Sequence, residues 1–283
     1  MSTALISAEE LMQCLHDSHP IVVDASWYLP AMQRDPEAEF LEAHIPGARF
    51  YDIDHWSDPN SNLPHTLPSA EWFAEGMRSL GVSDDSLIVI YDGMGLFSAP
   101  RLWWLLCCFG HERVRLLDGG LPAWVAAGGT LEAGEGSFAR GSFSVRACGD
   151  GLVGIDSVRE AIERGHKWVL DARGPGRFAG TEPEPRPGVR SGHMPSALNL
   201  PYPRVLQSDG CLLSPEELET LWDELSIPED QPVITSCGSG ISACILALAL
   251  QETGRSVQVY DGSWAEWGSR ADVDVVTASE SKR

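Results

Sequence analysis

The sequence predicts an α/β protein made of two tandem copies of one rhythm, each a small parallel sheet flanked by helices. Three observations carry that expectation. Short apolar runs without polar alternation, such as "IVVDA", "LIVIYD" and "VRLLDG", read as buried parallel strands. Helical patterns such as "PSAEWFAEGMRSLG" and "SPEELETLWDELSI" alternate with them. Four blocks also recur in the same order. "IVVDASW", "HIPGARFYDID", "LIVIYDGMG" and "VRLLDGGLPAW" are answered by "WVLDARG", "HMPSALNLPY", "PVITSCGSG" and "VQVYDGSWAEW". The match sets Asp24 against Asp171, His44 against His193, Asp92 against Cys237 and Asp118 against Asp261.

The elements follow in order. At the N-terminus, Ser7 precedes Glu9 and Glu10, and Leu11, Met12 and Leu15 form one apolar face, so a capped amphipathic helix is expected there. Ser69 and Ser214, each beside a proline with acidic residues following, open two more helices. The Gly- and Ser-rich stretch "GGTLEAGEGSFARGSFSVRACGDG" has no sustained apolar period and reads as a linker or a domain-wrapping segment. The expected division is residues 1–130 for the first copy, 131–152 for the linker and 153–275 for the second, with 276–283 a frayed tail.

With 283 residues, one large or two medium domains are expected. A net charge of −21 speaks against nucleic acid and against an anionic membrane surface. No apolar run has the length of a membrane span, and no signal peptide is read, so a cytoplasmic protein is expected. The seven cysteines, at 14, 107, 108, 148, 211, 237 and 244, form no CxxC pair or zinc spacing and are expected to be reduced thiols. No nicotinamide fingerprint, metal set or pyridoxal lysine is read, so no cofactor is expected.

One cysteine stands apart. Cys237 ends the strand "PVITS". After it, Ile241, Cys244, Ile245 and Leu248 mark a buried helix face. Gly238 and Gly240 let the backbone between turn tightly and point N–H groups inward. A nest of donors at a helix N-terminus favours an anion, and so a thiolate. Cys107, Cys108 and Cys244 fit apolar helix faces, while Cys14, Cys148 and Cys211 have nothing clustered around them. The first copy carries Asp92 at the matching place. A carboxylate cannot attack a sulfur donor, so that copy reads as a scaffold whose aspartate bonds its own loop. His44 and His193, present in both copies, read as structural, as do Asp24, Asp171, Asp118 and Asp261.

These pieces resemble the two-domain rhodanese-like sulfurtransferases, in which "HIPGA", "LLDGGLPAW" and a cysteine after a strand of the second domain are typical. The loop "CGSGIS" and the segment "GRFAGTEPEPRPG" resemble the 3-mercaptopyruvate sulfurtransferase branch. The resemblance implies that Cys237 takes sulfane sulfur from 3-mercaptopyruvate, releases pyruvate, and passes the sulfur to a small thiol, thioredoxin or cyanide. Arg177 and Arg186 correspond to the family's substrate arginines, with Gly238, Gly240 and Ile241 lining the loop, and Arg190 is a weaker candidate. Ser239, His65 and Asp54 stand where a proton relay is proposed for this branch, which would draw on both copies.

Four alternatives stand beside this reading. Thiosulfate:cyanide sulfurtransferase activity calls for loop cations, and "CGSGIS" supplies none. A cysteine phosphatase needs an arginine six residues after the cysteine, where this chain has Ala243. The others are a persulfide carrier or binding module without turnover, and a scaffold with an incidental thiol. The net negative charge does not exclude an anionic substrate, because exposed charges beyond about 8 Å are largely screened at physiological salt.

Overall fold

A computed structural model describes residues 3–146, 148–149, 151–165 and 168–278. The chain forms two units, each with its own sheet and core. In the first, β1 (Leu5–Ile6), β2 (Ile21–Asp24), β3 (Arg49–Phe50), β4 (Ile88–Tyr91) and β5 (Val114–Leu117) lie in the order β1-β5-β4-β2-β3. In the second, β6 (Leu152–Val153), β7 (Trp168–Asp171), β8 (Leu198–Asn199), β9 (Val233–Ser236) and β10 (Val257–Tyr260) lie in the order β6-β10-β9-β7-β8. Every pairing is parallel. The two orders are one topology, as the repeated blocks predict. β4 and β9 are the middle strands, and all four residues of each are buried.

The helices of the first unit are α1 (Ala8–Asp17), α2 (Pro36–Glu42), α3 (Ala70–Ser79), α4 (Ala99–Cys108) and α5 (Gly120–Ala126). Those of the second are α6 (Ile155–Arg164), α7 (Pro175–Ala179), α8 (Pro215–Glu224), α9 (Ala243–Glu252) and α10 (Ser263–Trp267). The expected serines cap them. Ser7 Oγ accepts the Glu10 N–H while Glu10 Oε2 accepts the Ser7 N–H, and Ser214 and Glu217 repeat that exchange on α8. Ser69 Oγ accepts the Trp72 N–H at 3.2 Å. No helix among the described residues is long and apolar enough to cross a membrane.

The repeated histidines are structural in the same way twice. His44 stacks on Phe40 at 4.1 Å and bonds the Phe40 carbonyl through Nδ1 at 2.7 Å. His193 stacks on Phe178 at 3.9 Å and bonds the Phe178 carbonyl at 2.8 Å. Each also begins an antiparallel bridge, His44 with Glu132 and His193 with Val276.

The Gly/Ser-rich segment wraps the first unit. Gly134 donates to Leu41, Gly141 to Arg78 and Arg146 to Phe109, all backbone to backbone. Leu152 already belongs to β6. In the expected tail, Val276 and Ala278 make backbone bonds to His193 and Ala179, and 279–283 lie outside the described residues. Two short segments belong to the unit their sequence position does not suggest: 61–66 joins the second and 206–212 the first. The Leu212 N–H is held there by Asp118 Oδ1 at 2.9 Å.

Two expectations about thiols need correction. Cys148 pairs with Cys108 as a disulfide, Cα to Cα 4.7 Å, because the wrapping segment returns to the end of α4. Cys107 is exposed, since the helix turns its side chain well away from that of Cys108.

Candidate active site

β9 leads into the site and α9 leads out of it. α9 is apolar on all sides and buries every residue from Ala243 to Leu250, which fixes the far end of the loop 237–242. Within the loop, Gly240 takes φ +85°, where a side chain would be strained. Its N–H then points back at Cys237 Sγ, 3.1 Å away. The rest of the loop is tied outward. The Trp264 and Ala265 N–H groups donate to the Cys237 and Gly238 carbonyls, and the Cys237 N–H donates to Ser263 Oγ at 3.2 Å. Cys244 sits one turn behind and donates its S–H to the Gly240 carbonyl. It is a fully buried structural thiol, as expected. Cys237, Ser239 and Ile241 are buried.

Ser239 Oγ lies 2.8 Å from His65 Nδ1. His65 is buried and holds left-handed backbone, φ +57°, a conformation rare outside glycine that the surrounding structure has to enforce. It belongs to the second unit despite its position in the first repeat. Asp54 is exposed in the first unit, where its Oδ2 accepts the Trp27 Nε1–H at 3.0 Å.

Arg177, on the short helix α7, reaches the loop. Its Nη2 lies 3.1 Å from where a Cβ on Gly238 would stand, and Nη1 lies 3.6 Å from it. Glycine is therefore the residue that leaves the guanidinium its place. Arg186 is half-buried on the following segment. Arg190 is occupied elsewhere: its guanidinium donates to the carbonyls of Gly268, Arg270 and Val273, which makes it a structural clamp.

The sequence reading missed two residues. Arg173 is buried, bonds both oxygens of Asp171, and stacks on the Trp264 ring at 4.1 Å. Its Nη1 also donates to Glu184 Oε1 at 2.8 Å. Glu184 in turn accepts from Arg177, through Nε at 3.2 Å and Nη2 at 2.5 Å. The repeat held a signal for Arg173, because the matching position in the first copy is Ser26. Nothing in the sequence separates Glu184 from its neighbour Glu182.

The first copy fills the same place differently. Asp92 is buried, and its carboxylate accepts the N–H groups of Met94, Phe97, Ser98 and Ala99 at 2.8–2.9 Å. It bonds its own loop, as expected. Cys211 is no competitor for the chemistry, since burial and the carboxylates of Asp118 and Asp209 push its thiol up to about 12.

Known proteins match this chain along nearly its whole length. The rhodanese-like domain model matches twice, at residues 7–127 and 155–270. The chain is 42% identical to the human 3-mercaptopyruvate sulfurtransferase over 99% of its length and 97% of that protein. It is 38% identical to thiosulfate/3-mercaptopyruvate sulfurtransferase 1, mitochondrial, of Arabidopsis thaliana, over 99% of this chain and 80% of that one. The crystal structure of SseA from Escherichia coli superposes with a TM-score of 0.85 at 37% identity, covering 93% of this chain and 99% of that one. A doubled parallel sheet of one topology, with a cysteine after the middle strand of the second copy only, is thus matched along nearly the whole length, and the chain belongs to the two-domain rhodanese-like sulfurtransferases, in their 3-mercaptopyruvate branch.

Proposed function

We propose that this chain is a 3-mercaptopyruvate sulfurtransferase working through a persulfide on Cys237. The observation that carries the reading is one loop holding both the nucleophile and a hydroxyl bonded to histidine: Cys237 Sγ against the Gly240 N–H, and Ser239 Oγ against His65.

The Cys237 thiolate attacks the sulfur of 3-mercaptopyruvate. An S–S bond forms, the C–S bond breaks, and its electron pair passes to the leaving carbon as the enolate of pyruvate. Ser239, bonded to His65, delivers the proton that carbon needs. The Gly240 N–H favours the sulfur anion before attack. Arg177 and Arg186 hold the substrate carboxylate and ketone, the kind of planar, charge-assisted contact arginine makes best. In the second half-reaction, a thiol, reduced thioredoxin or cyanide takes the outer sulfur and Cys237 leaves as thiolate, so ping-pong kinetics are expected. Each cycle starts from a reduced Cys237, which calls for a reducing compartment such as the cytoplasm.

Intact mass after incubation with 3-mercaptopyruvate tests the reading. The expected result is a gain of one sulfur, mapped to Cys237, with pyruvate release abolished in Cys237→Ser. An adduct on Cys244, or none at all, overturns it.

A further inference from the structure

Asp171, Arg173, Glu184 and Arg177 form an unbroken chain of alternating charge running from the end of β7 to the cysteine loop. The side chains of the first three are 0%, 1% and 3% exposed, and that of Arg177 is 24% exposed. Three members are therefore sealed, and only the last faces outward. The four charges sum to zero.

Glu184 decides how Arg177 is presented. It takes the Nε/Nη2 edge of the guanidinium. That leaves the Nη1/Nη2 edge, which stands over Gly238 beside Cys237. Glu184 is itself fixed from behind by Arg173, whose other donors are held by Asp171 and the Gly192 carbonyl. Arg177 thus offers a rigid two-pronged edge and carries almost no net charge with its partner. Such a group suits a planar carboxylate, which is recognised by direction. It suits a compact tetrahedral dianion less, because that ligand is held mainly by net positive charge.

We propose that Glu184 is a positioning residue that selects the sulfur donor, favouring an α-keto acid monoanion over the thiosulfate dianion by fixing and neutralising Arg177. This rests on the sulfurtransferase reading above. Removing the charge while keeping the shape, as Glu184→Gln does, loosens the edge and adds one positive charge to the site. Glu184→Asp keeps the charge and shortens the reach.

The test measures kcat/KM for 3-mercaptopyruvate and for thiosulfate in the same preparation of each protein. The quotient of the two cancels any loss of folded protein. In Glu184→Gln, kcat/KM for 3-mercaptopyruvate is expected to fall roughly 10- to 100-fold, mostly through KM, while that for thiosulfate holds or rises. Glu184→Asp is expected to recover part of the wild-type quotient. Equal losses for both donors, or a quotient the same in all three proteins, would overturn the proposal, since a merely structural glutamate predicts that outcome. A wild-type chain that releases no pyruvate would instead sink the parent reading.

Discussion

The loop after β4 and the loop after β9 follow the middle strands of two sheets with one topology. In the first, a carboxylate gathers four backbone N–H groups at once. In the second, the Gly240 N–H meets a thiol sulfur. A nest of donors demands an anion. When the chain supplies a permanent one, the nest becomes part of the scaffold. When it supplies a group that can ionise, the loop is a candidate active site. The neighbouring strands, β2 and β7, differ to match. Asp171 has the buried cation Arg173 beside it, while Asp24 has Ser26.

The largest effect expected from this contrast is on stability. Asp92→Ala leaves four donors, three of them buried, without their charged acceptor and should cost on the order of 4 kcal/mol. Cys237→Ala should cost about 1 kcal/mol while ending turnover. Urea midpoints of the two variants check the pair, and similar midpoints would erase the distinction.

Next comes a pH effect. Burial pushes the Asp24 carboxyl up from 3.8 to about 6, against the pull of its bonds from Ser26. The unfolded chain releases that proton near 3.8 and the folded chain keeps it to about 6. Asp24's share of stability is therefore full below the lower value and lost as pH rises through the upper one, a swing of roughly 3 kcal/mol. Asp24→Asn should remove the swing, so the variant gains on the wild type between about pH 4 and about pH 7. Denaturation at several pH values reads this, and parallel curves for the two proteins would refute it.

The smallest effect concerns Gly238. In Gly238→Ala the new Cβ would press on Arg177 Nη2 at 3.1 Å, so the guanidinium must shift by a few tenths of an ångström. KM for 3-mercaptopyruvate should rise roughly 3- to 10-fold with little change in kcat. An unchanged KM would mean that Arg177 does not meet the substrate over this glycine.

The fold was legible because its signals are local. Apolar runs, serine caps and repeated blocks each lie within a few residues of one another, and both sheets followed from them. Cys237 was legible for the same reason: strand end, glycines and helix start coincide in "TSCGSGIS". The chain Asp171–Arg173–Glu184–Arg177 was not, because it depends on which edge of a guanidinium a carboxylate reaches after folding. The pairing of Cys108 with Cys148 across 40 residues was hidden likewise, as was the assignment of His65 to the second unit. Spacing along the chain says little about groups that meet only when a wrapping segment or a loop returns.

The two traded segments, 61–66 and 206–212, bear on how the protein is made. A ribosome finishes the first sheet with Leu117, yet Asp118 must wait for Leu212 to receive its N–H. The first unit therefore leaves the exit tunnel incomplete, and it stays so until roughly half of the second has been synthesised. Neither half of the sequence is a cut-out module, because each carries a few residues that fold with the other unit.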